Sequence, residues 1–246
     1  MTISPEATEH WQNALLAGAA ALGIAIPEAE ITLFQRHFEL LMLHNERAGL
    51  TTISDPAEIA IKHFLDSLTG LLAREIRSGE RVSDIGSGGG FPGVVLAAVK
   101  PGAEFVLIES SRRRAAFLRT VLQELGLLNA AVIVARAEEA GQRSEHREAY
   151  DLVVSRAVAP LPVLIEYCLP LARVGGQMLA YKGPEGVGEM AQSARALEIL
   201  GGRFADEKQL SLPLGMGERT LLLIDKVAPT PARYPRRPGM PAKRPL

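Results

Sequence analysis

The fold is decided by residues 81–99, which read RVSDIGSGGGFPGVVLAAV. An apolar strand pattern over 81–85 runs into a turn in which four of five residues are glycine, and Pro92 stands where the first turn of a helix over 91–99 favours proline. Glycines allow a ligand to approach the backbone closely, and the free N–H groups of a helix start bind anionic groups. The stretch therefore predicts a strand, a turn that holds a nucleotide-like ligand, and a helix.

Short apolar strands alternate with helices after this stretch. The predicted strands are 81–85, 104–109, 130–135, 150–155, 176–182, 203–212 and 219–227, and the predicted helices are 91–99, 112–126, 160–172 and 186–201. Such alternation is typical of a parallel, doubly wound sheet. No helix separates the last two strands, so they form an antiparallel hairpin at its end. The expected fold class is α/β, a Rossmann-like fold with a seven-stranded, mostly parallel sheet.

The first eighty residues follow a helical pattern instead. Apolar residues recur at helical spacing around Leu15 and again around Phe38, and Asp55 precedes Pro56 as an N-cap signal. The chain is therefore divided into a helical N-terminal extension (1–80), a catalytic domain (81–228) and a C-terminal tail (229–246).

Composition and charge describe an ordinary globular chain. It has 246 residues, a net charge of −1 and 47% hydrophobic residues, with neither a charged leader nor an apolar run of membrane-spanning length. The single cysteine, Cys168, excludes a disulfide framework and lies in an apolar helix pattern, which favours a core role over a nucleophilic one. We expect a cytoplasmic protein.

The C-terminal tail reverses the charge of the body. Residues 229–246 hold five basic residues, no acidic residue and six prolines, which leaves the body with 22 basic against 28 acidic groups. A basic, proline-rich segment indicates an extended arm that binds a polyanion, although a solvated terminus would have the same composition.

The glycine-rich turn leaves three interpretations open: S-adenosylmethionine, a dinucleotide or a purely structural turn. Gly88, Gly90 and Gly93 satisfy the dinucleotide pattern, but counting from the strand end at Gly86 puts Phe91 where the third glycine belongs. Asp84 would repel a pyrophosphate and suits the ammonium of S-adenosylmethionine. Glu109, at the end of the second strand, is placed to bind ribose hydroxyls in either case.

Two further strand ends carry polar residues. Arg136 to Glu139 follow the third strand, where an adenine lies in doubly wound folds, and a solvated helix start is the alternative. Arg156 ends the fourth strand, where a methyl acceptor would enter. Without a nucleophilic cysteine or an Asn-Pro-Pro-Tyr clamp, the acceptor is an atom that needs little activation, such as guanine N7.

These residues resemble the ribosomal RNA small subunit methyltransferase G family, also called glucose-inhibited division protein B. The resemblance rests on KHFLDSL (62–68), DIGSGGGFPG (84–93), RAEE (136–139), SRAVAPL (155–161), YKG (181–183) and the closing YPRRPG-x-P-x-K-x-PL (234–246). It covers essentially the whole chain.

The resemblance implies a class I S-adenosylmethionine-dependent methyltransferase that modifies N7 of one guanine, at position 527, in bacterial 16S rRNA. The motifs place cofactor contacts on Gly86, Phe91, Ala137, Glu138 and Arg156, to which the chemistry above adds Asp84, Gly88 and Glu109. The residues expected to bind RNA phosphates are Arg236, Arg237, Lys243, Arg244 and Lys182, with Arg112 to Arg114 either joining them or forming a solvated helix start.

The expected partner is 16S rRNA or the 30S subunit, the protein acting as a monomer with no metal and no membrane. No catalytic residue is assigned, and His63 and Asp66 are given no role beyond a polar pair near the site. The competing functions are a small-molecule methyltransferase, an rRNA-binding assembly factor with a structural cofactor and an NAD-dependent oxidoreductase.

Overall fold

The computed structural model describes residues 3–246 and has one seven-stranded sheet of order β3-β2-β1-β4-β5-β7-β6. The strands are β1 Arg81–Ile85, β2 Glu104–Glu109, β3 Ala130–Val134, β4 Tyr150–Arg156, β5 Ala172–Lys182, β6 Gly202–Ser211 and β7 Glu218–Lys226. Strands β1 to β5 are parallel, and β7 runs antiparallel to both β5 and β6. The mostly parallel sheet and its terminal hairpin confirm the predicted fold class.

Eleven α-helices surround this sheet within the described residues. They are α1 Pro5–Ala21, α2 Glu28–Ala48, α3 Pro56–Ile59, α4 Asp66–Ala73, α5 Gly93–Val99, α6 Arg112–Glu124, α7 Ala137–Ala140, α8 Leu161–Cys168, α9 Gly186–Gln192, α10 Ala194–Leu200 and α11 Met240–Lys243. Two predicted helices differ. The helix over 160–172 ends at Cys168 because β5 already begins at Ala172, and the helix over 186–201 is divided at Ser193.

The N-terminal helices pack onto the sheet domain through aromatic side chains. Trp11 of α1 stacks on Phe38 of α2 at 5.3 Å between ring centroids and meets the edge of Phe64 at 5.1 Å. These rings share one buried cluster with Val94 of α5 and Phe117 of α6. The extension and the helices that follow β1 and β2 thus have a common core.

Residues Ala60–Leu65 form a π-helical turn between α3 and α4. The predicted N-cap is confirmed, since the Asp55 side chain accepts the N–H of Glu58 at 2.8 Å. Insertion of a π turn changes the direction of the side chains that follow it and is frequent at functional sites. It overlaps the first four residues of the KHFLDSL motif, 62–65.

The C-terminal tail is not a free arm, which corrects the sequence expectation. Tyr234 and Pro241 are buried, and Arg147 of the body donates to the carbonyl oxygens of Thr230 and Tyr234, at 2.7 Å each. Its prolines exclude it from the sheet, as expected, but the backbone carbonyls are satisfied by body side chains. No helix within residues 3–246 is long and apolar enough to cross a membrane.

Candidate functional site

The glycine-rich loop lies at the carboxyl end of β1, where the strand order reverses between β1 and β4 and doubly wound folds bind their ligands. Gly86 has φ +73°, and a Cβ at this position would lie 2.5 Å from Cγ2 of Val158. Its N–H donates to the carbonyl of Ile108 at 2.9 Å. Both the backbone conformation and the close approach of Val158 therefore require glycine.

Asp84 has one carboxylate oxygen engaged and one without a partner. Its side chain is buried, and Oδ2 accepts the N–H of Gly93 at 3.0 Å. Oδ1 is buried too, and no group among residues 3–246 hydrogen-bonds to it. Burial raises the pKa of Asp84 to about 7. A cationic donor at Oδ1 would complete the site, so the residue fits the ammonium group of an amino-acid ligand.

Glu109 holds the loop and does not face the open space. Its Oε2 accepts the N–H of Gly88 at 3.0 Å, while Oε1 accepts the N–H of Ser111 at 2.7 Å and Nη2 of Arg114 at 3.1 Å. The ribose contact of Glu109 stays a prediction; in this structure Ile108 and Ser110 line the neighbouring cavity. Gly88 likewise uses its N–H to anchor the loop.

A cavity of about 210 Å³ opens beside Gly86; we call it the nucleoside cavity. It is lined by Ile85, Gly86, Ile108, Ser110, Ala135, Arg136, Ala137, Glu138, Val158 and Tyr167. The structure thus brings together three of the predicted cofactor residues, Gly86, Ala137 and Glu138. Tyr167 was missed, because it lies inside the apolar pattern of α8 and gives no separate signal.

Phe91 and Arg156 lie on the opposite side of this loop. Phe91 is buried between the imidazole rings of His37 and His63, each at 4.8 Å between centroids, and the Arg156 guanidinium lies 5.5 Å from its ring centroid. Nε2 of His37 is 2.8 Å from the carbonyl oxygen of Gly89. A histidine of the N-terminal extension therefore supports the glycine-rich loop from behind.

A second cavity, of about 360 Å³, adjoins Arg156; we call it the acceptor cavity. It is lined by Ile53, Lys62, His63, Asp66, Arg156, Ala157, Tyr181, Lys182, Gly183, Glu185 and Arg219. Four of these side chains are cationic and two are acidic. Arg219 was missed, since the sequence offers no sign that the start of β7 meets the KHFLDSL motif, 153 residues away.

Asp66 organises the cationic side of this cavity. It is fully buried, and its two oxygens accept Nη1 of Arg156 and Nε of Arg219, both at 2.8 Å. His63 forms hydrogen bonds with other residues than Asp66. Its Nε2 is 2.7 Å from Oγ1 of Thr51, and burial together with Arg156 lowers the pKa of His63 to about 3, so the ring is neutral.

The loop that follows β4 contributes one residue to each cavity. Val158 lines the nucleoside cavity and Ala157 the acceptor cavity. Ala157 has φ +56°, a left-handed conformation that costs a non-glycine residue energy and is retained mainly at functional sites. The next residue, Val158, packs against Gly86.

The predicted RNA-binding residues fall into two groups. Arg237, Lys243 and Arg244 are exposed, and none of them forms an ion pair within residues 3–246. Arg236 is different, because its guanidinium is bound to the buried carboxylate of Glu166. Arg236 thus anchors the tail in this structure, and its phosphate contact stays a prediction.

Lys182 lines the acceptor cavity and pairs with Glu189 at 2.9 Å. Of the other arginines, Arg112 and Arg113 are exposed, and Arg114 binds Glu109.

Comparison with known proteins matches this chain to one family. The family model described as rRNA small subunit methyltransferase G matches residues 30–213. The protein of that name from Pelotomaculum thermopropionicum is 46% identical over 229 residues, covering 93% of this chain and 96% of the relative. That from Symbiobacterium thermophilum is 46% identical over 241 residues, covering 96% and 98%. Among solved structures, a putative O-methyltransferase from Klebsiella pneumoniae superposes with a TM-score of 0.57 at 17% identity, covering 90% of this chain and 99% of that one.

Proposed function

The chain belongs to the rRNA small subunit methyltransferase G family, and we propose that it transfers a methyl group from S-adenosylmethionine to N7 of one guanine of 16S rRNA. The observations that carry the proposal are a cavity lined by Gly86 of the glycine-rich loop, a second, cationic cavity lined by Arg156, and the unpartnered carboxylate oxygen of Asp84. The guanine at position 527 follows from the family.

The nucleoside cavity fits the adenosine end of the cofactor. Its apolar walls, Ile85 and Ile108, suit an aromatic ring, and the segment Ala135 to Glu138 offers backbone groups that can read the ring edge. Asp84 and the loop N–H groups would hold the ammonium and carboxylate of the methionine end. S-adenosylmethionine supplies an activated methyl group when it is bound.

The acceptor cavity fits a nucleotide. Lys62, Arg156, Lys182 and Arg219 give it a cationic wall that suits an RNA phosphate, and their counter-ions Glu58, Asp66 and Glu189 hold them in position. The target base must leave its stack to enter a cavity of this kind.

Guanine N7 has a free lone pair at neutral pH, so the residues around it need not remove a proton. The His63 ring is held by Thr51 and Arg156, and burial raises the pKa of Tyr181 far above neutrality, so neither group is a general base at pH 7. What the chain provides is alignment of the base and exclusion of water.

Exposed tail cations provide a phosphate-binding surface outside the cavities. Arg237, Lys243 and Arg244 would position the rRNA without reading its sequence, with Lys182 at the cavity itself. We place the protein in the cytoplasm with its substrate, either 16S rRNA or the 30S subunit.

The test is transfer of labelled methyl groups to naked 16S rRNA and to 30S subunits from cells that lack the modification, followed by mapping of 7-methylguanosine. Label at a single guanine N7 is the expected result, and it would show which substrate form is used. Label on a small molecule instead, or cofactor binding without any transfer, would contradict the proposal.

A further inference from the structure

The tail follows a fixed path across the body beside the nucleoside cavity. We call residues 230–244 the C-terminal strap. Gln142 Nε2 donates to the carbonyl of Pro235 at 2.8 Å, and a Cβ on Gly141 would lie 2.9 Å from Cγ of Pro235. The strap therefore packs directly on the segment that follows α7.

The centre of the strap is fixed by one buried ion pair. Arg236 donates from its backbone N–H to Oε1 of Glu166 at 2.8 Å, and from Nη2 to Oε2 at 2.5 Å. Glu166 is fully buried, so this charge requires its partner. Glu166 precedes Tyr167, which lines the nucleoside cavity. The strap is thereby fastened to one wall of that cavity.

The end of the strap reaches the opposite wall. The N–H of Gly239 donates to Oε1 of Glu138 at 2.9 Å. Glu138 is 4% exposed, lines the nucleoside cavity and lies in α7, which is only four residues long. One helical turn is not stable alone and depends on its surroundings. The strap supplies an external hydrogen bond that fixes the Glu138 side chain.

We infer that the C-terminal strap is part of the cofactor site, in which the N–H of Gly239 positions Glu138 and so raises the affinity for the cofactor. The inference rests on the proposed function, because it takes the nucleoside cavity as the cofactor site. Gly239 is a positioning residue, acting through Glu138. The strap thus has a role before any RNA is bound.

The experiment measures binding of S-adenosylhomocysteine by calorimetry in the absence of RNA. One variant ends at Pro238, which keeps the Arg236–Glu166 pair. A second, made by joining a synthetic C-terminal peptide to the rest of the chain, carries glycolic acid in place of Gly239, so that an ester replaces the amide and the N–H is lost while the φ of +80° stays allowed. Both should bind about tenfold more weakly, the equivalent of one charge-assisted hydrogen bond. The matched control is Ala205→Ser, an exposed position of β6 outside the strap and outside both cavities, which should bind within about twofold of the unaltered chain.

Melting temperatures without ligand show whether either variant is unfolded. Hydrogen exchange at the Gly239 amide of the full chain is a second readout that needs no variant. Linkage requires this exchange to slow when S-adenosylhomocysteine is added. Unchanged affinity in the folded variants, or unchanged exchange at Gly239, would overturn the inference. If the full chain does not bind S-adenosylhomocysteine at all, the proposed function fails as well.

Discussion

Cofactor affinity should depend on pH through Asp84. Burial raises the pKa of this carboxyl to about 7, with Arg156 lowering it and Glu109 raising it by smaller amounts. An ammonium bound at Oδ1 favours the ionised carboxylate, so binding requires loss of the proton and tightens as the pH rises through 7. The affinity for S-adenosylhomocysteine is the quantity to measure.

The magnitude follows from the fraction of Asp84 that is ionised. With a pKa of about 7, roughly one tenth is ionised at pH 6 and about half at pH 7, so the dissociation constant should fall about fivefold between these values. The ligand ammonium remains charged over this range, since α-amino groups titrate near pH 8. Calorimetry at several pH values with Asp84→Asn as the comparison separates this effect from other titrations. An equal pH dependence in both proteins would refute the assignment of Asp84.

Three other variants test separate parts of the site. Gly86→Ala should weaken S-adenosylhomocysteine binding by at least about tenfold, because its methyl group meets Val158 at a positive φ; retained affinity in calorimetry would contradict the packing described. Burial lowers the pKa of His37 to about 4, so the unfolded state takes up a proton between about pH 6.5 and 4 that the folded state does not. Compared with the His37→Phe variant, the unaltered chain should therefore lose up to about 3 kcal/mol of unfolding free energy as the pH falls through this window. Urea unfolding measures this free energy, and a difference between the two proteins that does not change with pH would refute the prediction. Removing Arg237 and Arg244 together should reduce the log–log salt slope of rRNA binding by about 1.4, and an unchanged slope would remove them from the RNA interface.

The parts of the fold that depend on local pattern were predictable. The turn after β1 carries a run of glycines, and β2 carries a short apolar run over 105–108. The predicted element boundaries were wrong where a long-range contact decides them. Strand β5, for example, begins at Ala172, which pairs with Tyr150 of β4, although the sequence pattern predicts helix up to residue 172.

Some residues that line the cavities were predictable from the sequence, but their arrangement was not. Gly86, Ala137 and Glu138 do share a cavity, yet Arg156 lies in another one with Arg219, and the sequence does not show that Asp66 bridges the two arginines. The packing of the tail on the body was not predictable for the same reason. Its charge predicts a polyanion-binding arm, but Glu166, which binds Arg236, lies 70 residues away.

We propose that the nucleoside cavity and the acceptor cavity together form one reaction site beside the glycine-rich loop. A crystal structure of the complex with S-adenosylhomocysteine tests it most directly. Adenine should lie in the nucleoside cavity between Ile108 and Ala137. The ammonium should lie within hydrogen-bond distance of Oδ1 of Asp84, and the sulfur should face the acceptor cavity beside Arg156. Adenine bound elsewhere, or a sulfur that faces away from Arg156, would contradict it.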